Sequence, residues 1–534
     1  MAGARVLLAL GVVSSAHASE DIDCRFELLM EDHLTDGYGY EFGRCISATR
    51  EIFFPDETDY AGFATNQWLS LTVEPIFDNA LLSSLVDMAR HLHGADFFSG
   101  VPDLPGWKLL ADEDAASGSP QGVAFRIINV ISGRRLLDDG DDHGHGHGHS
   151  HGRQLDAEGA TLPEKDVLSV RAVYTDYGPD YCDLTCVREN MWGSAIHPYA
   201  QWGNTHRYEG NVSRMFHDAS FGRLKWPESR GRIMDCNIGQ PVSVHGSSCS
   251  SGSIVSTIKQ ACLDNHGVDA DDYTHFEIFI PTQIAGCGWG GLAVVGCSKP
   301  QDPRRGGACW AMIRDGYATT RSHEFGHNIG LGHAGANELE YGDNSGVMGS
   351  DRNWKTWNLA NSYSAGFVGD AQLLNYESGD YKIELHDFTA SPHYPTASGT
   401  RKTGVHFPCA GCLWTSRDGD PAGGGDLFVS FKAGTNGFDS ALDTQYKMVV
   451  SIHLLREGGN RGTDLYAQLT AGQSSTETSS GLVVKACAIN ADHAVVAITS
   501  TGGSGLAGAT ALCDGTANPA PPPPPSPPPN PPPN

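Results

Sequence analysis

The 534-residue sequence predicts an α+β protein, on three observations. One helical run, bounded by a glycine, carries two histidines four residues apart. Two runs rich in β-branched and aromatic residues, 167–174 and 275–281, read as strands ahead of it. From about residue 372 to 513, short apolar runs alternate with Gly, Ser, Asp and Pro, the pattern of a β-rich, sandwich-like C-terminal domain. A chain of this length can fold as two or three domains, each with its own core.

Residues 1–18 hold Arg5, the apolar run 6–13 and then Ala16-His17-Ala18, the small-x-small pattern of a cleaved secretory signal peptide. That run is too short to span a bilayer and no later stretch is long and apolar enough, so the expectation is a secreted protein with no membrane span. Residues 19–135 combine strand-like runs at 68–73 and 123–128 with an amphipathic helical run at 81–93, and hold no catalytic constellation. The chain changes character at the dibasic pair Arg134-Arg135. Residues 136–165 form an Asp-, His- and Gly-rich linker in which His143, His145, His147, His149 and His151 alternate with small residues. Residues 138–151 lack the apolar side chains needed to pack and expose the pair to processing proteases. Both a loose hold on Zn²⁺ or Cu²⁺ and a plain solvated spacer fit this tract.

Residues 166–371 read as the domain that carries the chemistry. Asn211-Val212-Ser213 is an N-glycosylation sequon with Asn211 as acceptor. Further on, residues 322–333 read Ser-His-Glu-Phe-Gly-His-Asn-Ile-Gly-Leu-Gly-His, the pattern H-E-x-x-H-x-x-G-x-x-H. On a helix, His323 and His327 share one face and aim two imidazoles at one point, a clamp for zinc. Glu324, beside the first ligand, can take a proton from water at the metal without coordinating the ion. His333 lies too far along the axis to join from the same helix, so the chain must turn, and Gly330 permits the turn by accepting a positive φ. Three neutral histidines leave a fourth tetrahedral position for water, which separates a catalytic zinc site from a closed structural one. Fifteen positions after His333, Met348 sits in the glycine-flanked sequence Gly346-Val347-Met348-Gly349.

In residues 372–513 the pair Cys409-Ala410-Gly411-Cys412 has no second pair nearby, so a disulfide-bearing loop fits better than a metal or redox site. Fourteen cysteines in an exported chain imply disulfides, with Cys24 and Cys45 before the dibasic pair and the other twelve after it. Residues 514–534 form a proline-rich tail, a stiff polyproline II rod that cannot build a core; it reads either as a matrix tether or as a linker. A formal net charge of −27 argues against nucleic acid and anionic membranes as partners. Oligomeric state is not readable.

The run from Thr319 to Met348, with His327-Asn328-Ile329-Gly330-Leu331-Gly332-His333-Ala334 and Tyr341-Gly342-Asp343-Asn344-Ser345-Gly346-Val347-Met348-Gly349, resembles the gametolysin-like metalloproteases. These are a metzincin group that digests the glycoprotein walls of green algae. The resemblance covers about residues 167–500, including Gly288-Trp289-Gly290-Gly291 and the strand-like 448–453. It implies a zincin-type catalytic domain, with Met348 as the Met-turn beneath the histidines. A globular segment at 19–135, between a signal peptide and such a domain, reads most simply as a propeptide that assists folding and blocks the cleft. The resemblance also gives the 290–295 segment the role of an edge strand that receives substrate backbone, and 354–367 that of the lower cleft wall. Some members carry Gln at the first histidine; His323 here favours an ordinary three-histidine zinc site. Ser350, not Tyr, follows Met348 by two residues, so no tyrosine is assigned to the transition state. Ser99 stands where a propeptide cysteine switch would place its thiol. The expectation is thus a secreted zinc endopeptidase acting on extracellular-matrix or cell-wall (hydroxy)proline-rich glycoproteins, with copper as the alternative ion. The rival is a non-catalytic matrix-binding module whose metal is structural.

Overall fold

A computed structural model describes residues 162–519 with short breaks, and before them six strands between residues 9 and 132. The helical run 81–93, Ser99, the dibasic pair, the histidine tract and residues 520–534 lie outside the described residues. The protein mixes α-helix with several sheets, and packs as two compact units. One comprises residues 1–153, 165–188 and 227–330; the other comprises 154–164, 189–226 and 331–534.

The first unit is organised on one sheet. Its main strands are β1 (Glu20–His33), β2 (Tyr38–Ile46), β3 (Trp68–Ile76), β4 (Val123–Ser132), β5 (Val167–Val173), β6 (Arg232–Asn237), β7 (His275–Phe279), β8 (Gly291–Val294) and β9 (Trp310–Ile313). Their order is β4-β3-β1-β8-β9-β7-β5-β6, with β2 paired to β1. Strands β6, β5, β7 and β9 run parallel, with Phe276 opposite both Leu168 and Trp310. Every residue of β7 and β9 is buried, as expected of central strands covered on both faces. The helix Ser251–His266 supplies part of that cover through Ile254, Val255, Ile258 and Ala261.

Strand β8 runs antiparallel to β9, and its other edge is taken by β1, also antiparallel. Gly291 faces Asp32, Leu292 faces Glu31, Ala293 faces Met30 and Val294 faces Leu29; beyond them Val295 N–H donates to the Leu28 carbonyl at 2.9 Å. Leu29 is fully buried in the core of this unit.

The second unit holds two large sheets, besides two short two-stranded ones at 197–208 and 414–422. The strands of the large sheets are β10 (Ala334–Ala336), β11 (Leu373–Asn375), β12 (Tyr381–His386), β13 (Arg401–Lys402), β14 (Gly404–Phe407), β15 (Gly425–Lys432), β16 (Val449–Arg456), β17 (Thr463–Leu469), β18 (Ser474–Thr476), β19 (Leu482–Ile489) and β20 (His493–Ser500). One sheet has the order β10-β17-β16-β15-β14-β11 and the other β13-β12-β20-β19-β18. Both contribute to one apolar cluster, the first through Val405, Leu427 and Ile452, the second through Leu385, Val484 and Val496.

The helix Val212–Ala219 belongs to this unit and packs Phe216 edge-on against Trp226 and Trp357, at 4.2 and 4.6 Å between ring centroids. Its N-cap is Asn211, whose Oδ1 accepts from Arg214 N–H at 2.7 Å and whose Nδ2 donates to the Gly193 carbonyl at 2.6 Å. Asn211, the asparagine of the sequon, is 8 % exposed, and the amide nitrogen a sugar would modify is held in a cap.

All twelve later cysteines are paired: Cys182–Cys186, Cys236–Cys262, Cys249–Cys287, Cys297–Cys309, Cys409–Cys412 and Cys487–Cys513. Among the described residues no helix is long and apolar enough to cross a membrane.

Candidate metal centre

The motif lies on the helix Ala318–Asn328, every residue of which is buried. Tyr317 at the N-cap makes no side-chain capping bond, and Asp315 takes over by accepting from Tyr317 N–H at 3.0 Å and from the Thr320 hydroxyl at 2.8 Å. The helix ends as its sequence predicts. Ile329 N–H closes the last turn on Phe325, and Gly330, at φ +98°, donates its N–H to the His327 carbonyl at 2.8 Å.

A fully buried ion pair anchors this helix to β7. Arg321 donates Nε to Glu277 Oε1 at 2.6 Å and Nη2 to Oε2 at 2.7 Å, while its Nη1 reaches the Val187 carbonyl at 2.8 Å. The Ser169 hydroxyl also donates to Glu277, and Arg321 lies over the Phe279 ring at 5.2 Å. A fork-to-fork pair of this kind fixes rotation as well as position. At the other end, Asn328 Nδ2 bridges the Val294 and Trp310 carbonyls at 2.9 and 3.1 Å, and Gly296 N–H donates to the His327 carbonyl at 2.8 Å. Strand β8 and the helix are thus tied end to end.

His323 and His327 stand one turn apart with ring centroids 4.8 Å apart. Glu324 is fully buried and its carboxylate lies against Gly291 of β8, in space a side chain at 291 would fill. His333 follows Gly330 and is held by its own surroundings. Its Nδ1 faces Glu340 Oε1 at 2.6 Å, its ring packs on Tyr341 at 4.0 Å, and its carbonyl accepts from Thr463 N–H at 2.9 Å. His323, His327 and His333 each bring one nitrogen to a common point, all within 4.8 Å of one another. Three buried imidazoles so placed fit a zinc ion in their donor chemistry and their number.

Met348 is fully buried, and its carbonyl accepts from Ala334 N–H at 2.9 Å, next to the third histidine. Beneath the turn, Asp343 accepts from Asn358 Nδ2 at 3.1 Å and Ser345 N–H at 2.9 Å, and pairs with His453 Nε2 at 3.1 Å. Burial alone would raise the Asp343 pKa, but the charge and hydrogen bond of His453, with the Ser345 donors, outweigh it and hold the carboxyl well below the usual range. Cys409, Cys412 and Glu477 also cluster, but the two sulfurs share a disulfide, so they are a covalent staple and not thiolate ligands.

Sequence reading did not identify Glu340, Gly291, Arg321 or Asp343 as partners of the motif. Gly291 and Asp343 lie inside the stretches that carry the resemblance, but all four meet their partners through space, without a local pattern.

The model of the family described as gametolysin peptidase M11 matches residues 201–475, more than half the chain. Autolysin from Chlamydomonas reinhardtii is 29 % identical over 201 residues, which are 33 % of this chain and 30 % of that protein. The chain thus matches less than a third of that relative's length. Metalloproteinase-II from Bacteroides fragilis aligns over 61 % of this chain and 74 % of its own, at TM-score 0.22 and 9 % identity, too slight a likeness to bear on the fold. On the family match the chain belongs to the gametolysin peptidase M11 family.

Proposed function

We propose that the protein is a secreted, zinc-dependent endopeptidase that cleaves extracellular-matrix or cell-wall glycoproteins and is kept latent by its N-terminal region. The observation that carries this reading is the convergence of His323, His327 and His333 beside the buried carboxylate of Glu324. Those histidines would hold the ion. When bound, zinc would supply a Lewis acid and lower the pKa of water towards neutrality. Glu324 accepts the proton of the attacking water and returns it to the departing amine. Strand β8 offers its backbone edge to an extended peptide, which accounts for the choice of a polypeptide substrate. Exposure to wall glycoprotein is suggested by the autolysin relative and by the proline-rich residues 514–534.

Latency is supported by β1, which occupies that same edge with Asp32 opposite Gly291. Residues 1–18 then act as the export signal, 19–135 as the propeptide and 136–165 as the processed linker. Residues 166–371 form the zincin-type catalytic domain, and 372–513 a supporting sandwich-like domain. The rival, a matrix-binding module with a structural metal, leaves a fully buried Glu324 beside the histidines without a task.

The test is to process the full chain after Arg135, measure its metal content, and incubate it with wall glycoprotein or gelatin, with and without a chelator. Chelator-sensitive cleavage is expected. Glu324→Ala should keep the metal and lose on the order of a hundred- to ten-thousand-fold in rate. Undiminished activity of that variant would refute the role of Glu324, and copper instead of zinc would correct the ion.

A further inference from the structure

We infer that Glu340 is a positioning residue for the metal, orienting His333 so that Nε2 is its ligand atom. The inference rests on the zinc reading of the three histidines and adds a residue outside the eleven-position motif.

The geometry is specific. Glu340 Oε1 lies 2.6 Å from His333 Nδ1, with the imidazole 1 % and the carboxylate 20 % exposed. An ionised carboxylate can only accept, so Nδ1 must carry the hydrogen. In a neutral imidazole that leaves the lone pair on Nε2, the far side of the ring. Tyr341 packs on the same ring at 4.0 Å and 36° between planes, which limits its rotation. A carboxylate on the non-ligating nitrogen fixes tautomer and orientation, and makes the ligating nitrogen more basic.

The backbone delivers Glu340 with little slack. After β10 the chain reverses through Asn337 at φ +51°, a left-handed conformation that Asn tolerates better than most residues. Ala336 and Leu339 close the reversal with two backbone bonds of 3.0 and 2.9 Å, and Gly342 N–H adds a third to the Leu339 carbonyl. Asp343 N–H then returns to the Ala334 carbonyl at 3.0 Å, and Ala334 N–H to that of Met348 at 2.9 Å. His333 and Glu340, seven residues apart, are therefore presented by one braced loop whose base is the methionine turn. His323 and His327 take their bearing from a helix; His333 has no helix, and Glu340 does for it what helical packing does for the other two.

The test measures zinc affinity of the full chain by competition with a chromophoric chelator, and the visible absorption of its Co²⁺ form. Wild type should bind one ion, and His333→Ala should lose it. Glu340→Ala should bind zinc 10- to 100-fold more weakly with altered cobalt bands. Glu340→Gln, which keeps size and one acceptor, should fall between the two, and it decides the matter if the alanine variant does not fold. Zinc affinity and cobalt bands of Glu340→Gln and of any folded Glu340→Ala equal to wild type would overturn the inference while leaving the metal reading intact. Failure of wild type itself to bind one ion would overturn both.

Discussion

Gly291 and Glu324 share one pocket of space: the carboxylate of Glu324 lies where a Cβ on residue 291 would stand. Gly291→Ala should push the carboxylate aside without touching a histidine. The expected outcome is a rate loss on the order of a hundredfold, the lower end of what a proton-transferring group contributes, with zinc content unchanged. Steady-state kinetics and metal analysis on one preparation check both halves.

Removing residues 20–33 from the edge of β8 should free activity. With Arg134-Arg135 replaced by alanines, the chain should stay uncleaved and inactive, and proteolysis after residue 135 should restore turnover. Full activity of the uncleaved chain would show that β1 does not block the site.

The Arg321–Glu277 pair is buried on both sides, so removing one partner strands a charge. Arg321→Met or Glu277→Gln should each cost about 3–5 kcal/mol, and the double replacement by apolar residues less than the sum. Thermal unfolding of the three variants provides the comparison.

Asp343 introduces an acid limb to stability. Its folded pKa is depressed, so it favours the folded state at pH values above the ordinary carboxyl range, and that contribution is lost as pH falls below about 4. Wild type should lose more melting temperature between about pH 5 and pH 2 than Asp343→Asn, although the variant starts lower.

Asn211 is expected to carry no sugar. Mass spectrometry of the protein from its natural source should find it unmodified, and Asn211→Ala should cost about 1 kcal/mol through loss of the cap. Asn211→Asp retains an acceptor for Arg214 N–H and should cost less.

Much of the candidate site was legible because its logic is local. The four-residue spacing of His323 and His327, the glycine that reverses the chain and the strand runs at 167–174 and 275–281 all express backbone periodicity. What was not legible depends on pairing at a distance. The bond between Glu340 and His333 needs a loop whose shape is set by Asn337 and Gly342, and the link from Arg321 to Glu277 spans 44 residues. The antiparallel match of β1 to β8 joins segments some 260 residues apart, and no hydrophobic pattern in either names the other. Asn211 shows the reverse hazard: a three-residue pattern for glycosylation is also a good start for a helix, and here Asn211 caps one.

If β1 departs, the N–H and C=O groups of Gly291 to Val295 that face it are left without a strand partner, on a rim that recognises backbone and not side chains. Such a rim is as receptive to a neighbouring copy as to a meal. By filling that edge until release, residues 20–33 would keep one copy from pairing with the next.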